Sequence, residues 1–225
     1  MSDPVEAAHA VMECFRVLAK TGANIVGEIL RGTGTFTEWE HYPTNDAYDP
    51  ESHAQYYYHA HPPEDRPIEE HGHFHLFMRP KGMPAGTRPA SVPDFTPLPG
   101  DNDALSHIVA ISMDRFGMPR RLFTTNRWVT GETWYPAASV IRMIDGFSID
   151  IVRPNWLVSL WITSMVRLFR PEIVQLLQER DRAVARWNRQ HPGAYVFEDR
   201  GLEITSIADI DVEARVRRLI GARES

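Results

Sequence analysis

The sequence predicts an α+β fold, with a mainly antiparallel sheet packed by helices and a helical C-terminal third, in one domain spanning residues 1–225. Apolar residues recur at helical spacing near the N-terminus, and short β-like runs separated by turn residues occupy the middle of the chain. Further helical patterns begin at residue 137. This order favours antiparallel pairing over a regular alternation of strand and helix.

The first elements are a helix and a short hairpin. Ser2 or Asp3 followed by Pro4 is a helix-start pattern, and apolar spacing then predicts a helix over about residues 4–20. Residues 24–30 and 35–40 are β-like runs on either side of the glycine-rich residues 31–34, which predicts a hairpin.

Histidine-bearing strands and a long loop come next. The proline-rich residues 62–67 predict a turn that reverses the chain between two such strands. Residues 80–100 contain six prolines and three glycines, which cannot build a regular element. We expect this segment to be a lid, an arm or a linker, or equally a strap over the surface or over a neighbouring subunit.

The second half of the chain predicts paired strands over residues 107–113 and 121–128, then helices over 137–145, 155–169 and 171–190. A late hairpin is predicted from residues 195–199 and 202–206, and a closing helix from 211–220. The apolar run 156–169 is shorter than the roughly 18 to 20 residues that span a membrane. It therefore predicts a core helix, with no membrane partner.

Composition excludes several classes of protein. The hydrophobic content of 43% is typical of a globular chain, and the net charge of −6 without a basic stripe argues against nucleic-acid binding. Cys14 is the only cysteine, which excludes an intrachain disulfide and cysteine-rich metal sites. The acidic start lacks a signal-peptide profile, so we expect a cytoplasmic protein. Composition does not exclude a homo-oligomer.

Histidine clustering is the strongest chemical pattern in the sequence. Seven of the ten histidines fall between residues 41 and 75, and five of them form two alternating runs: His59 and His61, then His71, His73 and His75. On a strand, an i, i+2 pair lies on one face and can share a metal ion. His71 and His75 would stand roughly 13 Å apart along a strand, too far to bind one ion together.

A hairpin would bring the two runs together. If His61 lies opposite His71, then His59 lies opposite His73, and four imidazoles converge on one face. A one-residue slip would send the runs to opposite faces. The reverse face would then carry ordinary packing residues: Tyr56, Tyr58, Ala60, Gly72, Phe74 and Leu76.

This pattern favours a metal-dependent enzyme acting on a small-molecule substrate by hydrolysis or oxidation. Imidazoles would hold a Zn, Fe or Cu ion with one coordination position open. Glu69 and Glu70 would serve as further ligands or as a general base, which makes Glu70 a catalytic candidate. The alternative is that the histidines form a solvated surface or a polar layer in the sheet. The candidate ligands are His59, His61, His71, His73, His75 and His107.

Residues 126–135 predict a substrate-binding segment. Arg127 could clamp a carboxylate or phosphate, and Trp128 and Trp134 could form an aromatic wall. The same mixture of residues also suits an interior hydrogen-bond network, and the sequence leaves the two alternatives open.

Residues 71–77, His-Gly-His-Phe-His-Leu-Phe, resemble the histidine-triad (HIT) motif. The resemblance covers only these seven residues and implies a nucleotidyl hydrolase or transferase in which His73 is the nucleophile that attacks phosphate. A third hypothesis is a non-catalytic protein that senses or stores metal. The whole chain is similar to a bacterial protein family without an assigned activity.

Overall fold

In the computed structural model, which describes residues 3–65, 68–93 and 95–224, six antiparallel strands form one sheet. Each strand pairs with the next strand along the chain, so the sheet order is the sequence order. The predicted α+β class with antiparallel pairing is confirmed. The strands are β1 Tyr42–Tyr48, β2 Ala54–His59, β3 Gly72–Met78, β4 Ser106–Met113, β5 Pro119–Thr125 and β6 Ile204–Asp209.

Helices precede the sheet and make up most of the C-terminal part. The first helix begins as predicted, because the Asp3 side chain accepts a hydrogen bond from the Val5 amide at 2.9 Å and Pro4 stands in the first turn. Ser2, residues 66–67 of the predicted turn and residue 94 of the proline-rich segment lie outside the described residues. The helices are α1 Pro4–Ala19, α2 Ile25–Ile29, α3 Arg127–Thr130, α4 Ala137–Ile144, α5 Trp156–Leu168, α6 Arg170–Gln190 and α7 Val212–Glu224.

The two faces of the central strands have opposite chemistry. Tyr56, Phe74 and Leu76 belong to the main hydrophobic core, and the Phe74 ring lies 5.7 Å from the ring of Trp161 on α5. The intervening residues, His73 and His75, point to the other face, because successive strand residues alternate. One face of the sheet therefore packs against helices and leaves the other face to the histidines.

The apolar segment near residue 160 is a core helix, as predicted. It forms α5, in which Val158, Trp161 and Ile162 are fully buried. Among the described residues, no helix is long and apolar enough to cross a membrane.

The predicted N-terminal hairpin is wrong. Residues 25–29 form the short helix α2, because the Asn24 side chain caps its first turn by accepting from the Gly27 amide at 2.8 Å. Residues 35–40 form turns and irregular chain. The first strand is instead β1, whose polar residues Asn45 and Asp46 concealed it from pattern analysis.

One predicted strand boundary and one predicted hairpin in the second half are also wrong. The strand predicted over residues 121–128 ends at Thr125, since the Asn126 side chain accepts from the Arg127 amide and starts the helical turn α3. The late hairpin does not form. Residues 196–198 make a 3₁₀ turn, and β6 pairs with β5, where it covers the edge of the sheet.

The proline-rich segment lies beside a second, smaller hydrophobic cluster. Apart from a 3₁₀ turn at Pro80–Gly82, its described residues form no regular element, and the Ala90 amide donates to the Trp134 carbonyl at 2.8 Å. Val92 packs with Trp134 and Val184 in this second cluster. A role as a lid or a strap stays a prediction.

Gly72 permits the close approach of β2 and β3. A Cβ atom at this position would lie 2.5 Å from both the His59 carbonyl oxygen and the Tyr58 hydroxyl. We expect Gly72→Ala to lower the free energy of unfolding by about 1–3 kcal/mol, because the strands must separate to admit the methyl group. Chemical denaturation measures the free energy of unfolding of the variant and of the wild type. The control, Gly221→Ala, places its Cβ in open space on α7, and an equal loss there would contradict the prediction.

Candidate metal centre

Three buried histidines converge on the face of the sheet opposite the helices. β2 and β3 pair so that His59 lies directly opposite His73, and His75 follows on the same face. The three residues are 8%, 3% and 0% exposed, and each offers one ring nitrogen within 4.8 Å of the other two. The predicted pairing of His59 with His73 is therefore confirmed, and these three side chains could hold one metal ion.

The spacing of the ring nitrogens is close to what a metal needs. Nε2 of His59 and Nε2 of His73 are 2.7 Å apart and share a hydrogen bond. Two nitrogens that bind one tetrahedral Zn²⁺ stand about 3.3 Å apart. Metal binding would thus replace this hydrogen bond after a small separation of the two rings.

Glu70 fixes the orientation of His73. Its Oε1 forms a short hydrogen bond with Nδ1 of His73, and both side chains are almost fully buried. Because a carboxylate accepts, Nδ1 carries the proton and Nε2 of His73 presents its lone pair to the cluster. Burial raises the pKa of Glu70, but the electrostatic interaction and the hydrogen bond with His73 hold that pKa below its ordinary value.

His75 carries an unsatisfied ring nitrogen. Its Nδ1 lies 3.0 Å from Nε2 of His107 on β4, whereas its Nε2 is buried and meets no hydrogen-bond partner among the described residues. Leaving a buried polar atom unpaired costs roughly 1–3 kcal/mol. A metal ion would satisfy this nitrogen, so the donor set fits a metal.

His61 and His71 take different positions from the three central histidines. The His61 ring lies beside the cluster, with its centroid 4.8 Å from that of His59. His71 precedes the strand, so alternation does not extend to it. Its Nδ1 is hydrogen-bonded to the Tyr58 hydroxyl at 2.6 Å, and its ring lies 5.8 Å from the ring of Phe36. The predicted convergence of four imidazoles, including His71, is wrong.

This placement of His71 also bears on the HIT resemblance. That motif needs three alternating histidines on one face of a strand, but His71 contacts Tyr58 and Phe36, which pack with the core under the opposite face. His73 and His75 remain together, joined by His59 from the neighbouring strand. The side chains that converge are therefore not the triad of the motif.

Burial keeps His59 and His75 uncharged at neutral pH. Desolvation, reinforced by the neighbouring imidazoles, lowers the pKa of His59 to about 2 and that of His75 well below its ordinary value. Burial also lowers the pKa of His107 to about 3, with Arg180 contributing. A metal ion binds the neutral imidazole, so these side chains need not release protons to become ligands at neutral pH.

A cleft of about 470 Å³ opens beside the cluster, a volume suited to a small molecule. His59 belongs both to the cleft wall and to the group of three, so a molecule in the cleft would lie against the candidate metal position. The lining residues are Trp39, His41, Tyr57, His59, His61, Asp65, Trp128, Val129 and Glu203.

The predicted substrate-binding residues separate in the structure. Trp128 lines the cleft, and its indole nitrogen donates to the Leu202 carbonyl at 3.0 Å. Arg127 instead forms an ion pair with Glu198 and stacks over the Phe95 ring. Trp134 is buried in the second hydrophobic cluster, with the Arg180 guanidinium 4.1 Å from its ring centre. Neither Arg127 nor Trp134 is among the described residues that line the cleft.

Sequence reasoning missed Glu203, Trp39 and His41. Glu203 stands just before β6, and its carbonyl accepts from the Asn126 amide at 2.8 Å. Burial raises the pKa of its carboxyl group, against a lowering effect of His73. No spacing marks these residues in the sequence, because Trp39 and His41 reach the cleft from the segment before β1 and Glu203 from the segment before β6. A tryptophan two residues before a histidine was the only available indication for Trp39 and His41.

We expect acid to destabilise the chelator-treated protein before its carboxylates titrate. Unfolded imidazoles have a pKa near 6.5, so the unfolded state binds more protons than buried His59, His75 and His107, and stability present above that pH is lost as the pH falls. Glu132 acts in the opposite sense, since burial raises its pKa to about 7. The net loss between about pH 7 and 5 is on the order of several kcal/mol.

Urea unfolding at a series of pH values measures this loss. The control is His9→Asn, which removes an exposed histidine of α1 and should keep the full acid loss. A stability that stays constant down to about pH 5 would show that the three histidines are not buried in their neutral form.

Removing the carboxylate partner of His73 should weaken metal binding without abolishing it. We expect Glu70→Gln to lower Zn²⁺ affinity about 10–100-fold, because the amide holds Nδ1–H less strongly and leaves the ring a poorer donor. Competition with a chromophoric chelator measures the affinity. Glu69→Gln, at the exposed neighbouring position, is the matched control and should bind Zn²⁺ as the wild type does.

Comparison with known proteins agrees with the sequence-based resemblance to a family without an assigned activity. No curated protein and no solved structure matches the chain significantly. A family model described as a domain of unknown function, DUF6969, matches residues 5–210, which run from α1 to the end of the sheet and include all three central histidines. The chain belongs to the DUF6969 family.

Proposed function

We propose that this protein is a metal-dependent hydrolase that acts on a small molecule, with His59, His73 and His75 as its three metal ligands. The observation that carries the proposal is the convergence of three buried imidazoles, of which His75 has an unpaired nitrogen and His59 lies in the wall of a cleft. Catalytic metal sites commonly use three protein ligands and leave a fourth position for water.

The donor set favours hydrolysis over oxidation. Three neutral imidazoles leave the full charge of a divalent ion in place, whereas a carboxylate or thiolate ligand would cancel part of it. Bound there, Zn²⁺ would lower the pKa of a water molecule to about 7 and so supply hydroxide at neutral pH. The protein contributes the low-dielectric surroundings of the ligands, which include the rings of Tyr57 and Phe123.

Two carboxylates take separate roles in this proposal. Glu70 holds His73 in position through Nδ1 and does not face the cleft, so it is a positioning residue. Glu203 lines the cleft, and its raised pKa suits a side chain that accepts a proton from the reacting group and returns it to the product. Trp128 and Tyr57 line the same cleft and add aromatic surface to its wall.

The first experiment is elemental analysis of protein purified without a histidine tag, before and after reconstitution with Zn²⁺. We expect near-stoichiometric metal in the wild type and its loss in His59→Ala, His73→Ala and His75→Ala. His71→Ala is the matched control and should keep its metal, since His71 contacts Tyr58 and lies outside the group of three. A wild type that binds no metal after reconstitution, with its fold verified by circular dichroism, would overturn the proposal.

Hydrolysis is tested on the Zn²⁺-loaded protein with an activated aryl ester. We expect turnover that is lost on chelation and in His73→Ala, and lowered about 10²–10⁴-fold in kcat by Glu203→Gln. The control is Glu64→Gln, which changes an exposed carboxylate in the 3₁₀ turn Pro63–Asp65. Glu64 does not line the cleft, so this variant should leave kcat unchanged. Turnover that survives chelation would assign any ester cleavage to the imidazoles alone and contradict the metal mechanism.

A further inference from the structure

The charge of the cleft indicates what kind of molecule it takes. Asp65 and Glu203 both line it, and neither lysine nor arginine does so among the residues that the structure describes. Two carboxylates in a partly enclosed space repel an anion and attract a cation, and the net charge of −6 acts in the same direction at long range. Apart from the proposed metal ion, a phosphate or carboxylate substrate would therefore meet no complementary lysine or arginine charge among the described residues of this wall.

Trp39 presents an aromatic surface at the mouth of the same cleft. Its indole stacks on His61 with the ring centres 4.3 Å apart, yet the residue is 55% exposed. Because His61 covers one face of the indole, the exposed area belongs largely to the opposite face. An indole face is the strongest cation-binding surface among the aromatic side chains.

The backbone of Trp39 is held in an unfavourable conformation. Its φ is 71°, in the left-handed region that bulky residues rarely adopt, and its amide donates to the Ala60 carbonyl at the end of β2 at 2.9 Å. Such strain tends to persist where a side chain must be held for function. The hydrogen bond therefore fixes a large exposed ring next to the histidines at an energetic cost.

The other aromatic rings of the cleft are already occupied. The Tyr57 ring is stacked by His41, with centres 3.6 Å apart, and Trp128 carries the Arg200 guanidinium 4.1 Å from its ring centre. Arg200 stands over Trp128 without lining the cleft. The exposed face of Trp39 is thus the aromatic surface that remains for a ligand.

We propose that the cleft binds an organic cation, with a quaternary or protonated amine held against the outer face of the Trp39 indole and attracted by the Asp65 carboxylate. This inference rests on the proposed function and names its substrate class, a positively charged small molecule whose reacting bond would face the three histidines. The cation site itself uses Trp39 and Asp65 and none of the metal ligands, so its occupation does not require the metal.

The test compares two probes that differ only in charge: choline, and the neutral alcohol in which carbon replaces its nitrogen. Isothermal titration calorimetry is run on chelator-treated and on Zn²⁺-loaded protein. We expect choline to bind about tenfold more tightly than the neutral alcohol in both forms. Both probes carry the same hydroxyl, so coordination of the metal by that hydroxyl cancels in the comparison, and the chelator-treated form shows the preference without the repulsion between Zn²⁺ and choline. Equal affinity for the two probes, or no binding of choline, would overturn the proposal.

Variants of Trp39 and Asp65 test whether these two residues bind the cation. Trp39→Leu should abolish the preference for choline, and Trp39→Phe should retain part of it, because a smaller ring keeps a weaker attractive face. Asp65→Asn should weaken choline binding several-fold. Matched controls are Trp156→Phe, an exposed indole outside the cleft, and Glu64→Gln, in the same turn as Asp65; both should bind as the wild type does. An unchanged preference in folded Trp39→Leu would refute the assignment, whatever the metal analysis shows.

Discussion

The register between β2 and β3 is the constraint on which the site depends. Pairing His59 with His73 puts the histidines on one face and leaves Tyr56 and Phe74 on the other, where α5 packs. A slip by one residue would reverse every side chain, burying imidazoles among the helices and exposing the apolar rings. The hydrophobic face therefore fixes the register, and Gly72 allows the two strands to approach closely enough to keep it.

Burial of so many imidazoles requires that their ring nitrogens find hydrogen-bond partners. Glu70 satisfies Nδ1 of His73, and His107 satisfies Nδ1 of His75. The backbone amide of His107 in turn donates a hydrogen bond to the buried Glu132 carboxylate at 2.7 Å, which holds His107 in position. This polar layer leaves one nitrogen of His75 unpaired, and that cost is what a bound ion would remove. The same histidine cluster is thus held in place by hydrogen bonds and still has one unpaired nitrogen that a metal ion could bind.

Helices and strands with a regular hydrophobic period were predictable from the sequence. Elements whose existence or boundaries depend on contacts with other parts of the chain were not. The helices α1 and α5 carry side-chain caps and apolar stripes, and α6 has a proline in its first turn and an apolar stripe. The strands β2, β3 and β4 are marked by alternation or by apolar runs. By contrast, β1 is polar and the end of β5 is decided by the side chain of Asn126. The last strand joins the sheet because β5 offers an unpaired edge, which a local sequence pattern does not contain.

The sequence by itself determined that imidazoles would share one face of adjacent strands, because alternation and the proline-rich reversal are local properties of the chain. Only the tertiary structure decided which of them meet. His71 turns away since the strand begins one residue later, and Trp39, Glu203 and Trp128 reach the cleft from distant parts of the chain. Contacts of that kind depend on loop paths and strand order, and these are set by packing of the whole molecule.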